Sequence, residues 1–296
     1  MTLNPAKPDL RHMAALLVVL VSTLATEAWA RPPLWIVRDR DSEIVLFGSV
    51  HVLPPRLDWR PPRLDRAIRR ADDLWFELQP GPGTENEARQ LAQSQSRLPP
   101  GQSLSQLLSE AGRSRLAQIC QTYHIDPDLL APLAPWYAEV ALGGIQYRAS
   151  GADLSLGVEG ALAAGAPTSV HQRAFETPKE QIDMFANAPM GDQLASLEMS
   201  LQDMVENPDA YHDLIDVWMR GDVAALDREA LAPLRTALPG LYGRLVSARN
   251  AAWTRTLDAR LKGHGHTVVI VGIGHLIGPD GVPARLRALG YSVEGP

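Results

Sequence analysis

Two histidines carry the clearest chemical signal in this chain of 296 residues. "FGSVHVLP", Phe47 to Pro54, ends an apolar run on Gly48 and places His51 three residues later. "VGIGHLIGP", Val271 to Pro279, repeats the arrangement with Gly272 and His275. Glycine at a strand end lets the chain turn where other residues resist and lets a ligand approach the backbone. The histidine then projects from the carboxyl end of the strand, where open α/β sheets place their sites. One G-x-x-H means little. Two of them share a context: apolar strand, motif, proline, helix, then a strand carrying an acid at Glu77 or Glu294. That suggests an internal pseudo-repeat whose strand ends meet at the sheet edge.

In "LWFEL" the period-two rule puts Glu77 on the face of Trp75, opposite Leu74, Phe76 and Leu78. A glutamate inside so apolar a strand needs a partner. His51, Glu77 and His275 together make a metal set that leaves positions open for water and substrate. A divalent ion there would lower the pKa of bound water and polarise a carbonyl. A purely structural alternative stays open: each histidine caps its strand, and Glu77 pairs with an arginine.

These groups need elements to hold them. Leu34 to Val37 and Ile44 to Phe47 predict a hairpin around a polar turn, Leu64 to Ala71 a helix, and "DLWFELQP" a strand. From about residue 101 to 261 the pattern is mostly helical. Thr177-Pro178-Lys179-Glu180 marks one helix start, and Leu241 to Leu261 a long late helix. "HTVVIVGIGH", "VPARLRALG" and "YSVEG" then return strand, helix and strand. The expected fold is a single α/β domain over 31–296. Its central mixed sheet is built from two terminal strand-helix-strand units and interrupted by a large helical insertion.

Residues 1–30 predict a secretory signal peptide: Lys7, Arg11 and His12, an apolar core from Met13 to about Ala25, and Ala28-Trp29-Ala30 for cleavage after Ala30. The core is shorter than the roughly twenty residues of a spanning helix, so no stable membrane insertion is expected after cleavage. A lone Cys120 allows no intrachain disulfide, and a periplasmic or secreted location follows. The net charge of −6 gives no footprint for nucleic acid and no polybasic membrane patch. His264 and His266 read as an exposed turn, and His171 and His212 lack matched partners. Trp136 and Trp218 suit a helical core, and no G-x-S-x-G elbow or spaced glycine fingerprint is present.

"LFGSVHVLPPRLDWRPPRLDRAIRRADDLWFEL" and "VVIVGIGHLIGPDGVPARLRALGYSVE", with "APWYAEVAL", "GVEGAL", "FETPKEQ" and "ARNAAW" between them, resemble the TraB/GumN family. That family includes the PrgY proteins and, more distantly, the Tiki metalloproteases. The resemblance implies a fold related to the erythromycin esterases and the ChaN proteins. It also implies a metal centre at His51, Glu77 and His275, supported by manganese or cobalt, with zinc also possible. Glu159 in "GVEG" and Arg249 in "ARNAAW" sit at family-typical positions. The segment "TSVHQRAFE" departs from the shorter apolar strand usual there.

The expectation is an exported metal-dependent hydrolase acting on peptides. Glu77 or Glu159 would handle the proton, and Arg249 would steady negative charge on an oxyanion. The competing reading of Arg249 is an ion pair with Glu77 or Glu159. The competing function is a non-catalytic periplasmic protein that sequesters a peptide or small-molecule ligand in the same cleft. Substrate, ion and oligomeric state lie beyond the sequence.

Overall fold

A polar turn between two apolar runs starts the sheet, as the hairpin pattern requires. The computed structural model describes residues 31–153 and 155–296, so the signal peptide read over residues 1–30 lies outside the described residues. Strand β1 (Leu34–Arg38) pairs antiparallel with β2 (Ser42–Ser49), Leu34 facing Phe47 and Arg38 facing Glu43. Helix α1 (Pro62–Arg70) buries Leu64 and Ile68, and β3 (Asp73–Phe76) follows. Its outward residues, Arg63, Arg66, Arg69 and Arg70, form a local basic face that a net charge summed over the whole chain does not signal.

The middle of the chain supplies α2 (Pro135–Ala149), α3 (Val158–Gly165), β4 (His171–Ala174), α4 (Pro178–Ala186), α5 (Met190–Glu206) and α6 (Ala210–Arg220). The predicted cap of α4 is present: Glu180 N–H donates to the Thr177 hydroxyl, and Glu180 Oε2 accepts from the Thr177 N–H. One element differs from the helical reading of residues 101–261. Strand β4 lies inside that span and pairs parallel with β3, Asp73 facing His171. It is a polar edge strand with mostly exposed side chains, so it lacks the apolar signature by which a strand is recognised.

The late helix is also not uniform. A π-turn over Gly243–Ser247 leads into α7 (Ala248–Leu261), and such turns concentrate at functional sites. Strand β5 (Gly265–Gly272), α8 (Val282–Ala288) and β6 (Ser292–Glu294) close the chain.

The result is a six-stranded mixed sheet in the order β4-β3-β5-β2-β1-β6, with mostly helical content outside it. Strand β5 lies between β3 and β2 and runs parallel to both. Its β-branched run Val268 to Val271 is buried throughout, as a central parallel strand demands. A second apolar cluster, including Ile119, Leu142 and Leu201, holds the helical part. Trp136 and Trp218 are core residues, as expected. The indole N–H of Trp218 donates to the Gly48 carbonyl at 2.8 Å, tying α6 to the end of β2.

Candidate functional site

The parallel pairing of β2 and β5 sets Ser49 beside Gly272 and Gly48 beside Val271, so the two G-x-x-H motifs leave the sheet at neighbouring points. They pack closely enough that a Cβ on Gly48 would collide with the Ile273 side chain. Strand β3 flanks β5 on the other side with Phe76 facing Ile270, which brings Glu77 to the same edge. Glu294 takes no part. It sits on the far edge strand β6, bonded to Arg38 and Arg63.

The Glu77 carboxylate is the hub. Its Oε1 accepts the Gly272 N–H at 2.7 Å and lies 3.7 Å from His275 Nε2. Its Oε2 accepts from Arg249 Nη2 at 2.5 Å and from Gln181 at 3.3 Å. His51 and His275 are oriented in the same way, each through Nδ1. Glu159 Oε1 holds His51 Nδ1 at 2.8 Å, and Asn250 Oδ1 holds His275 Nδ1 at 2.6 Å. In the neutral ring, an Nδ1–H donated to oxygen leaves the lone pair on Nε2, the arrangement seen behind metal-ligating histidines. Glu159 lies in the first turn of α3, where a negative charge suits the helix N-terminus, and its Oε1 also accepts from Ser49 Oγ at 2.5 Å.

Arg249 lies at the centre of the cluster with every guanidinium N–H engaged. Nε and Nη2 form a two-point pair with Glu176 at 2.7 and 2.8 Å. The remaining donors go to Glu77, the Leu245 carbonyl and His275 Nε2 at 2.9 Å. The ion pair with Glu77, the competing reading of Arg249, is therefore present, whereas Glu159 is engaged with Ser49 and His51. All of Arg249's hydrogen bonds run to protein acceptors, so a substrate oxyanion would have to displace one of them.

The charges follow from these contacts. The Glu159 carboxylate pulls the His51 imidazole up, to about 9. The ring is 65 % exposed, so water screens the pair and the direction is what the geometry carries. Burial pushes the His275 imidazole down to about 4, with Arg249 and His51 adding to it against the pull of Glu77. Burial works to raise the Glu77 carboxyl, but His275, Arg249, His51 and the Gly272 N–H outweigh it and hold it low. At neutral pH the cluster has an ionised Glu77, a neutral His275 and a His51 that favours its proton.

Gly272 shows how a divalent ion would fit. A Cβ added there would stand 3.2 Å from Glu77 Oε1 and 3.4 Å from His51 Nε2, so glycine leaves open a cradle shared by two donors. The third donor is engaged: His275 Nε2 faces Arg249. Accordingly, no group of three or more His, Cys, Asp or Glu among the described residues stands in a ready metal-holding arrangement. His51 and Glu77 are of donor types that suit a divalent ion, while His275 Nε2 is engaged by Arg249 Nη1.

Three side chains in this cluster had no role in the sequence reading. Glu176 sat in the quoted "FETPKEQ" and Asn250 in "ARNAAW", so the family-typical motifs marked their positions without their contacts. Trp253 packs tilted against His275, with ring centroids 4.4 Å apart, and donates its N–H to Glu176 at 3.1 Å. Beside His51 opens a cavity of about 1010 Å³, walled by α2, α5 and α6 and lined largely by apolar side chains such as Leu142, Leu201 and Leu214. Glu139 faces it, with Ser196 and Ser200 both donating to its Oε1.

The fold is a mixed α/β sheet on which the two glycine-histidine turns stand beside the Glu77 carboxylate. The chain belongs to the TraB/PrgY/gumN family, whose model matches residues 33–295. No curated protein and no solved structure matches it.

Proposed function

We propose that this chain is an exported, metal-dependent hydrolase acting on peptides, working in the periplasm or outside the cell. The observation that carries the reading is the convergence of His51 and Glu77 on the open cradle at Gly272, with His275 Nε2 alongside. When bound, a divalent ion, manganese or cobalt by family resemblance and zinc by donor chemistry, polarises a carbonyl and lowers the pKa of water. His51, Glu77 and His275 would hold it.

The chain's own residues do the rest. Glu159 Oε1 and Asn250 Oδ1 fix the two rings so that Nε2 points into the site. Glu159 Oε2 makes no hydrogen bond among the described residues, which supports Glu159 over Glu77 as the group that takes a proton. Arg249 holds Glu77 ionised and in place, and its Nη1, once free of His275, is the donor nearest to developing negative charge. The apolar cavity beside His51 suits the side chains of a short peptide. We also read the two strand-to-histidine units as an internal pseudo-repeat, and the fold as kin to the erythromycin esterase and ChaN proteins.

A second reading draws on the saturated Arg249 and the size of the cavity: a protein that sequesters a peptide or small ligand without turnover. Peptide cleavage by wild type and His51→Ala, after chelation and then manganese restoration, separates the two. Metal-dependent turnover lost in the variant supports the hydrolase. Peptide binding without metal-dependent turnover supports the binder.

A further inference from the structure

Near the starts of β2 and β5, away from the histidine cluster, a groove of about 360 Å³ runs beneath α1. Its floor is made by Leu34 and Ile36 of β1, Val45 of β2 and Val268 of β5, with Thr267 and His266 of β5 beside them. Its walls carry Arg38, Arg63, Arg66, Arg69 and Arg70. Arg38 and Arg63 are held in place: Arg38 donates to Glu43 at 2.9 Å and to Glu294 at 2.8 Å, and Arg63 donates to Glu294 at 2.8 Å. Arg66, Arg69 and Arg70 have neither a hydrogen bond nor an ion pair among the described residues. Five guanidiniums against the two carboxylates of Glu43 and Glu294 leave an excess of three positive charges, in a chain whose net charge is −6.

Ordinary helix physics explains part of this arrangement. Arg69 and Arg70 lie in the last turn of α1, where cations suit the helix C-terminus, and arginine stems cover apolar surface. Arg66 is not explained. It stands three residues from Arg63, three from Arg69 and four from Arg70, and like charges at such spacings destabilise a helix. An anion lodged among these guanidiniums turns that repulsion into attraction.

We propose that the groove binds the head of a small amphiphilic phosphate monoester. The free forks of Arg66, Arg69 and Arg70 take the phosphoryl oxygens, and the floor takes the first carbons of the tail. A guanidinium fork matches phosphate oxygens in two-point geometry, and a monoester's charge of roughly −1.5 to −2 suits the local excess. The volume lies at the small end of ligand sites, enough for a head and a short chain. The proposal does not depend on the histidine site.

Titration calorimetry of the mature chain tests it, with octyl phosphate below its micelle concentration as the probe. Saturable binding is expected, weakened at least about tenfold by Arg66→Gln with Arg70→Gln and by about 0.5 M NaCl. Inorganic phosphate should compete weakly, octyl glucoside should not bind, and Arg228→Gln, which removes an exposed arginine paired with Glu229 outside the groove, should bind like wild type. Circular dichroism establishes that each variant is folded. The proposal is overturned if octyl phosphate fails to bind, if the double variant binds unchanged, or if octyl glucoside binds equally well. Retention on anionic phospholipid vesicles without octyl phosphate binding would likewise overturn it, making the groove a membrane contact.

Discussion

Ser49 of β2 and Gly272 of β5 face each other across a parallel register, and the acceptors of both belong to the same cluster. Ser49 Oγ donates to Glu159 and the Gly272 N–H donates to Glu77. This one pairing fixes both carboxylates beside the two histidine turns. It makes the sheet register the device that assembles the site.

Gly272→Ala probes the cradle without disturbing the backbone. Gly272 has φ −50° and ψ 136°, which alanine adopts freely, but its Cβ would press on Glu77 Oε1 and His51 Nε2. Turnover is expected to fall at least about tenfold, with a loss of stability within about 1 kcal/mol. Peptide hydrolysis and urea unfolding measured on the same samples check this.

Gly48→Ala should do the opposite, because its Cβ would overlap the Ile273 side chain in the packed contact between the motifs. Overpacking of this kind costs about 1–3 kcal/mol, read as a lower urea midpoint at unchanged slope.

Arg249→Gln leaves Glu77 and Glu176, both nearly buried, without their shared cation. Breaking a buried pair on one side costs about 3–5 kcal/mol, so a large drop in thermal midpoint is expected. Glu176→Gln, which keeps an acceptor, should cost less. Equal midpoints for wild type and Arg249→Gln would show that the guanidinium does not hold the cluster together.

The pH dependence of stability has a worked-out sign. His275 is depressed to about 4 from an ordinary 6.5, so the unfolded chain binds more protons between those values. Its contribution is full above pH 6.5 and is lost as pH falls toward 4. Glu77, depressed to about 2 from 4.5, continues the loss below pH 4.5. His51 runs the other way: its pairing with Glu159 stabilises below pH 6.5 and is lost as pH rises through about 9, an effect reduced by the open ring. Urea midpoints across this range should fall on acidification from pH 6.5, and His275→Gln should flatten the stretch between 6.5 and 4.

Much of this was legible in residue order. The hairpin, the buried β5 run and the Thr177 cap each follow from local chemistry that tertiary packing then satisfied. His51, Glu77 and His275 could be singled out because paired glycine-histidine motifs and an acid in an apolar run are conspicuous, although β3 ends at Phe76 and Glu77 lies one residue beyond it. Glu176 was not, since a glutamate before a helix start looks like a surface residue until Arg249, 73 residues later on α7, pairs with it. Strand β4 escaped because its residues face water, and the basic face of α1 because summed charge carries no position.

The central claim is that the two glycine-histidine turns and Glu77 act as one divalent-ion site. Elemental analysis of untagged protein, purified from the exported fraction, tests it most directly when wild type is compared with His51→Ala. About one divalent ion per chain is expected in wild type, with a clear loss in the variant. Equal metal content in the two, or none in a wild type offered manganese, cobalt and zinc, would contradict it.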